Sequence, residues 1–406
     1  MSDRIRHLFP ELDRDLASLS HATGIFPSQK IQEFITNSKI SSQSKIEESQ
    51  VQPSSIDLRL GPTAYRVQAS FLPGKSSTVE SKINDLIMTK IDLREPTAFE
   101  KGCVYIVPLL EELSLPEDVW AKANPKSTTG RLDIFTRLIC DYGTEFERVP
   151  HGYRGRLYAE VVPRTFTVIV SEGIKLNQLR FVKGEVQSSD SELKKLDRRE
   201  QLVFETATGE HEAADYSAGQ PSIDNGLKFS INLRGTKESS IIGYRAKKNA
   251  PAIDLHKIAH YDPEDFWDII NAPKSGNIIL SPDDFHILIS KEKVRIPPTH
   301  AAEMVAYDPS IGEFRIHYAG FFDPGFGYGS NDINGTCAVL EVRSHEVPFL
   351  VEDGQVVGRL IYERLLAQSD KVYGVGIGSS YQSQGLALSK HFKNFRTSAS
   401  LSDKKS

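Results

Sequence analysis

Two glutamates stand inside runs that alternate apolar and other residues, Glu160 in LYAEVV and Glu341 in CAVLEV. Alternation marks a strand, so each carboxylate points to one face of a sheet between aliphatic neighbours. A buried carboxylate is costly unless a cation compensates it or its pKa rises. Arg343, two residues from Glu341 on the same face, is one such cation. A carboxyl raised toward neutrality is what a general base requires. The structural and the catalytic readings both stand on these residues alone. The run NPKSTTGR, Asn124 to Arg131, gathers Lys126, Ser127, Thr128, Thr129 and Arg131 around one glycine. Cations, hydroxyls and backbone amides so close together suit a polyphosphate. The spacing of a P-loop is absent, and a solvated turn is the plainer alternative. In AGFFDPGFG, Ala319 to Gly327, Asp323, Pro324 and Gly325 are ordered as a tight hairpin needs them. The stretch GVGIGSSYQSQGLALSKHF, Gly374 to Phe392, follows no strand-then-helix frame, so a dinucleotide fingerprint is a poor reading. It reads as a mobile terminus, or as a lid bringing Tyr381, Gln384 and Lys390 onto a ligand. An H-x-E motif with a P-C-x-x-C partner is not encoded, so no zinc-activated water is expected.

The elements that must hold these residues are mostly short β-type runs: IDLRLG, CVYIVPL, IFTRLIC, GRLYAEVV, TFTVIV and LNQLRF, then FSINLRG, NIILS, FHILIS, EFRIHYAGFF, CAVLEV, VPFLV and GRLIY. Gly, Pro and Asp clusters separate them, as in a sandwich or barrel rather than βαβ units. Ser28 is placed to cap a short helix carrying Ile31, Phe34 and Ile35, and Asn37 to Gln50 reads as loop. Polar sequence before Gly226 marks a boundary. The expected division is a first domain over 1–188 with a helical leader, a linker over 189–222, a second domain over 223–370, and a flexible tail over 371–406. At 406 residues, 39% hydrophobic and 25% charged with net charge −5, the chain is globular in composition and carries no basic footprint for nucleic acid. No run reaches the length of a membrane span, and the charged start MSDRIRHLFPELDRD does not resemble a secretion signal. Cys103, Cys140 and Cys337 are scattered and odd in number, so reduced thiols and a cytoplasmic setting are expected.

The two halves repeat each other. From Glu160 onward the segment GRLYAEVVPRTFTVIVSEGIKLNQLRF matches GTCAVLEVRSHEVPFLVEDGQVVGRLIY without a gap, pairing Glu160 with Glu341, Gly173 with Gly354 and Gln178 with Arg359. SIDLRLG at Ser55 matches SINLRG at Ser230, and NPKSTTGR is set against PPTHAAEM, Pro297 to Met304, which lacks its Lys, Ser and Arg. Conversely, the first half has Pro150 and His151 where the second has Asp323 and Pro324. A repeat this long points to duplication of a domain, followed by complementary loss.

The segments QPSSIDLRLG, NPKSTTGRLDIFTRLI, GYRGRLYAEVVPRTF, AGFFDPGFG, AVLEVRSHEVPF and YQSQGLALSK, in this order, resemble the dCTP deaminase family within the dUTP pyrophosphatase-like superfamily, in its long duplicated form. The resemblance implies two tandem dUTPase-like β-barrels of distorted jelly-roll type. It implies conversion of dCTP to dUTP and ammonia, with a strand Glu activating water at C4 of cytosine without a catalytic metal. That role falls to Glu341 or Glu160; the complementary loss favours Glu341, with Glu160 auxiliary or structural. The family's phosphate- and chemistry-contacting segment is similar to Lys126, Ser127, Thr128 and Arg131, of which Ser127 and Arg131 also serve the chemistry. Lys126 replaces the usual Arg, and Pro125 the usual leading Gly. The hairpin around sugar and base looks like Phe322, Asp323 and Gly325, and the closing tail resembles Tyr381, Gln384 and Lys390. Mg²⁺ is implied with the triphosphate, as are homo-oligomers, trimers foremost, with sites between barrels and no membrane or nucleic-acid partner. The rivals are a bifunctional enzyme continuing to dUMP, and a non-catalytic nucleotide-binding regulator.

Overall fold

The alternating runs fold as strands, and each half of the chain wraps two sheets around an apolar core. The computed structural model describes residues 22–204, 221–236, 239–306, 314–316, 320–328, 335–344, 347–373 and 386–395. In the first half a six-stranded sheet runs Ile87–Asp92, Thr63–Val67, Val104–Ser114, Arg154–Pro163, Ile134–Cys140, with Ile40–Ser42 also paired to Val104–Ser114. A five-stranded sheet packs against it, centred on Lys175–Lys183, which pairs with Val119–Pro125, Ile56–Arg59 and Gly24–Ile25. The second half repeats the plan. Trp267–Asn271, Ile241–Ala246, Phe285–Val294, Thr336–Ser344 and Phe314–Ile316 form its larger sheet. Leu227–Ser230, Val356–Arg364, His300–Ala306 and Phe321–Phe322 form the smaller one. The chain is thus mainly β, with two barrels and short helices.

Backbone pairing fixes how the halves correspond. Glu160 lies opposite Ile106, and Glu341 opposite Ile287. The Arg59 amide donates to Glu111 Oε2 (2.8 Å), as the Ser230 amide does to Glu292 Oε2 (2.7 Å). Arg59, not Ser55, is therefore the counterpart of Ser230, and the likeness of SIDLRLG to SINLRG is not a structural equivalence. LKFS and SINL both alternate apolar residues, so period two alone does not separate the registers. In the same way Lys122 opposite Arg180 matches Glu303 opposite Ile361. The counterpart of Asn124–Arg131 then begins at Val305 rather than Pro297. Most of it lies outside the described residues, but its sequence, VAYDPSIG, also carries no Lys or Arg. The hairpin equivalence holds: Arg148–Val149 and Phe321–Phe322 pair with matching residues, which sets Pro150 against Asp323.

Four further expectations need correction. Ser28 does not cap its helix, which spans Ser28–Thr36 behind Pro27; its hydroxyl turns instead to Ser369 Oγ at 3.0 Å. Asn37 to Gln50 is not all loop, since Ile40–Ser42 is a strand. The supposed linker 189–222 begins with a helix, Asp190–Glu200, capped by Ser189 and Glu192 in a capping box. Its Leu193 and Leu196 enter the second core, and Val203–Phe204 pairs with the Phe285–Val294 strand, as Ile40–Ser42 does in the first half. The charged letters ELKKLDRRE are the solvated face of an amphipathic helix, which composition alone reads as linker. Finally, the tail is not free throughout. Ser389, His391 and Phe392 are buried, Phe392 in the first half's core.

The halves share that core. Ile253–Asp254 adds a parallel strand to Val168–Val170 across the junction. Phe166 meets Phe266 and Trp267 of the second half at ring separations of 5.8 and 5.5 Å, and Trp267 meets Phe392 at 5.9 Å. Trp267 is only 1% exposed. Trp267→Ala should therefore cost about 3–5 kcal/mol. In urea melts followed by circular dichroism, both halves should lose stability together; a loss confined to a separate second-half transition would contradict the shared core.

Candidate active site

The site begins where Pro125 ends the strand Val119–Pro125 and the chain turns into the helical segment Ser127–Gly130. The turn is stapled to the neighbouring strand: the Lys126 amide donates to Leu176 O (2.8 Å) and Thr129 Oγ1 donates to the same carbonyl (2.9 Å). Ser127 is the exposed first residue of the turn, and Thr128 and Thr129 line a cavity of about 300 Å³. Lys126 pairs with the carboxylate of Asp57, which is buried in the strand Ile56–Arg59.

Arg131 closes the turn and points across the junction. Its Nε lies 3.9 Å from Glu341 Oε1, and its Nη1 donates to Ala387 O of the tail at 3.0 Å. Glu341 is 6% exposed. Burial pushes its carboxyl up to about 7, and the Arg131 guanidinium holds it back from rising further. Sites between barrels were expected, and here Arg131 and Glu341 come from the two barrels of a single chain.

Glu160, the counterpart, has a different environment. It is fully buried, and Arg137 of the same barrel donates to its Oε1 from Nε at 2.9 Å and also from Nη2. Arg137 is itself held against the ring of Phe146, 3.4 Å from its centroid. Arg343 does not partner Glu341. It bonds Asp133 and Thr165 Oγ1 (3.0 Å) of the first half.

The hairpin also reaches the first half. Asp323 accepts a bond from Ser54 Oγ (2.6 Å) and lies 3.7 Å from Arg180 Nη2. Burial raises its carboxyl, opposed by Arg180 and Ser54, and it feels the charges of Asp57 and Lys126. Phe322 is buried edge-on against Phe326 at 4.9 Å, and its carbonyl accepts from Arg180. Gly325 has φ +89° with the backbone of Tyr373 close behind, a position that suits only glycine. Of the tail residues, Tyr381 and Gln384 lie outside the described residues. Lys390 lines the cavity, next to Ser389, whose Oγ donates to Thr128 O at 3.0 Å. Burial lowers the Lys390 ammonium, and Lys126 nearby adds to that.

Asp57, Lys175, Arg180 and His391 were missed from the sequence, and Asp57, Lys175 and His391 line the cavity. Asp57 carries the same signal as the two glutamates, a carboxylate inside an alternating run. Lys175 and Arg180 offer no local signal, because their significance comes only from what the fold brings opposite them.

Family models described as the N-terminal and C-terminal domains of 2'-deoxycytidine 5'-triphosphate deaminase match residues 22–185 and 189–392. The chain belongs to the dCTP deaminase family. Its structure is similar to the crystal structure of 2'-deoxycytidine 5'-triphosphate deaminase from Agrobacterium tumefaciens, with a TM-score of 0.79 and 47% identity, covering 85% of this chain and 100% of that one. Shorter relatives match part of the chain. A protein named dCTP deaminase, dUMP-forming, from Corynebacterium diphtheriae is 29% identical over 169 residues, 39% of this chain and 86% of its own length. A dCTP deaminase from Halorubrum lacusprofundi is 28% identical over 134 residues, 32% of this chain and 63% of its own length. The barrels are accordingly of the dUTPase-like type that this family shares.

Within the family fold, Glu160 and Glu341 are distinguished by their partners. Arg137→Ala should leave a fully buried carboxylate uncompensated, at a cost of about 3 kcal/mol or more. The midpoint of urea unfolding should fall accordingly, and the double variant Glu160→Gln/Arg137→Ala should recover much of it. An unchanged midpoint in Arg137→Ala would remove the structural role assigned to this pair.

Proposed function

We propose that the protein deaminates dCTP to dUTP and ammonia with Glu341 as the general base. The observation that carries this reading is a buried carboxyl near neutrality, met by a cation of the other barrel at the end of a phosphate-suited turn. Ionised Glu341 takes a proton from water as hydroxide adds to C4 of the cytosine. The same carboxyl passes that proton to N3 and then relays the hydroxyl proton of the tetrahedral adduct to the departing amine, so that C4 becomes a carbonyl, one water is consumed and one ammonia is released. Arg131 holds Glu341 in place and ionised, and it offsets charge that develops on the adding oxygen. Ser127, exposed beside it, orients the water. The ammonium groups around the cavity suit phosphate oxygens rather than a cation. Mg²⁺ would therefore arrive on the triphosphate and neutralise part of its charge. Asp323, Phe322 and Gly325 border sugar and base, and Lys390 closes over the phosphates.

A second reading draws on the relative whose name adds dUMP formation: the same chain would cleave the triphosphate after deamination. Incubation with dCTP and Mg²⁺ followed by chromatography separates them. The proposal expects dUTP with an equal amount of ammonia. dUMP with pyrophosphate would support the second reading, and nucleotide binding without turnover would mean a regulator on this fold. Glu341→Gln should lower kcat by about a thousandfold, within the usual range for a lost general base, whereas Glu160→Gln with retained fold should keep most activity. Full activity in Glu341→Gln would overturn the assignment.

The acidity of Glu341 sets the pH profile. Only the ionised carboxyl is a base, so kcat/KM should fall as pH drops below about 7. The Arg131 charge holds that value down, so Arg131→Met should move the acid limb to higher pH. A limb that stays near pH 4.5, the ordinary glutamate value, would contradict the burial of the base.

A further inference from the structure

We propose that Lys175 binds the distal phosphate of the nucleotide and makes this site selective for a triphosphate over a monophosphate. This rests on the deaminase reading above and extends it to a residue outside the helical turn. Three lysines, Lys126, Lys175 and Lys390, line the cavity, against a single lining carboxylate, Asp57. Asp57 is already paired with Lys126. Lys175 reaches only the Ser49 hydroxyl at 3.5 Å, the limit of a hydrogen bond, and among the described residues no carboxylate lies within ion-pair distance of it. Holding a half-buried ammonium beside other cations is unfavourable, and an anion in the cavity relieves it. Burial lowers the Lys175 ammonium, with Lys126 and Arg59 acting in the same direction against Asp57 and Glu111.

The position of Lys175 selects the distal end. The cavity, at about 300 Å³, is at the lower limit for a small-molecule site, so it holds a phosphate chain rather than a whole nucleotide. The base must reach Glu341, whose charged neighbour is Arg131 at the far end of the turn. Lys126 begins the turn, and Lys175 starts the adjacent strand opposite Arg59, beyond Lys126. A nucleotide with its base at Glu341 therefore extends its phosphates toward Lys175, and only a long phosphate chain arrives there.

The test uses the full chain and Lys175→Met, which keeps the length of the side chain and removes its charge. Calorimetric titration with inorganic tripolyphosphate should show about tenfold weaker binding in the variant, or about 1.4 kcal/mol. The KM for dCTP should rise by about the same factor with kcat nearly unchanged. The KM for dCMP should stay where it is, and Lys175→Arg should restore most of the dCTP affinity. Equal tripolyphosphate affinity in variant and wild type would overturn the proposal. So would a KM raised equally for dCTP and dCMP, which would mark a structural role. If the unaltered protein turns over neither nucleotide, the deaminase reading fails, and the tripolyphosphate comparison still decides whether Lys175 binds phosphate.

Discussion

The chemistry proposed for this molecule depends on one apposition across the junction of its halves, Arg131 of the first barrel against the buried Glu341 of the second. At the observed 3.9 Å, a cation and a carboxylate attract with about 4 kcal/mol at the effective dielectric of a protein site. Burial opposes the charged form by more than this, so the carboxyl still rises. The balance leaves the carboxyl near neutrality, where it can exchange a proton readily. A closer, two-pronged pair would lock the carboxylate ionised, and no pair would leave it protonated. The docking of the halves therefore tunes the acidity of Glu341 as well as placing it.

That docking is enforced by charges that are costly to leave unmatched. Lys122 of the first half bonds both Glu303 and Glu363 of the second. Arg180, fully buried, bonds Glu363 (3.2 Å), the Ala302 carbonyl (3.1 Å) and Ser54 (3.0 Å), with its guanidinium 4.0 Å from the centroid of Phe321. A sliding or rotation of one barrel on the other would strand several of these groups without partners, each at a cost of kcal/mol. The apolar contact between Phe166, Phe266, Trp267 and Phe392 adds stability with less directional demand. The polar network sets the relative position, and the aromatic cluster holds it.

Duplication supplied two copies of each part, and the copies have diverged in complementary ways. Glu160 acquired a partner inside its own barrel, Arg137, which occupies its oxygen Oε1. The residue that follows Ile316, in the matching place of the second half, is His317, which lies outside the described residues. The first half kept the turn with Lys126 and Arg131, and the second kept the hairpin with Asp323. Among the described residues, Arg131 of that turn meets Glu341, and Asp323 of that hairpin meets Ser54 and Arg180, each across the junction.

By itself the sequence determined the β-rich class, the duplication, the turn and hairpin, and the pair of strand glutamates. All of these are written in local periodicity, turn chemistry and repeated letters, which act over a few residues. The helix after Ser189 was legible in principle, since its capping box and its leucines are present, but its charged face resembled a linker. The register of Leu227–Ser230 was not legible, because two overlapping runs alternate equally well and only backbone pairing chooses between them. Tertiary structure alone decided which glutamate meets Arg131, that Arg343 goes to Asp133, and that Lys175 opens into the cavity near Lys390. Those outcomes depend on which groups far apart in the chain are buried together, and a carboxylate's acidity is fixed by that company rather than by its neighbours in sequence.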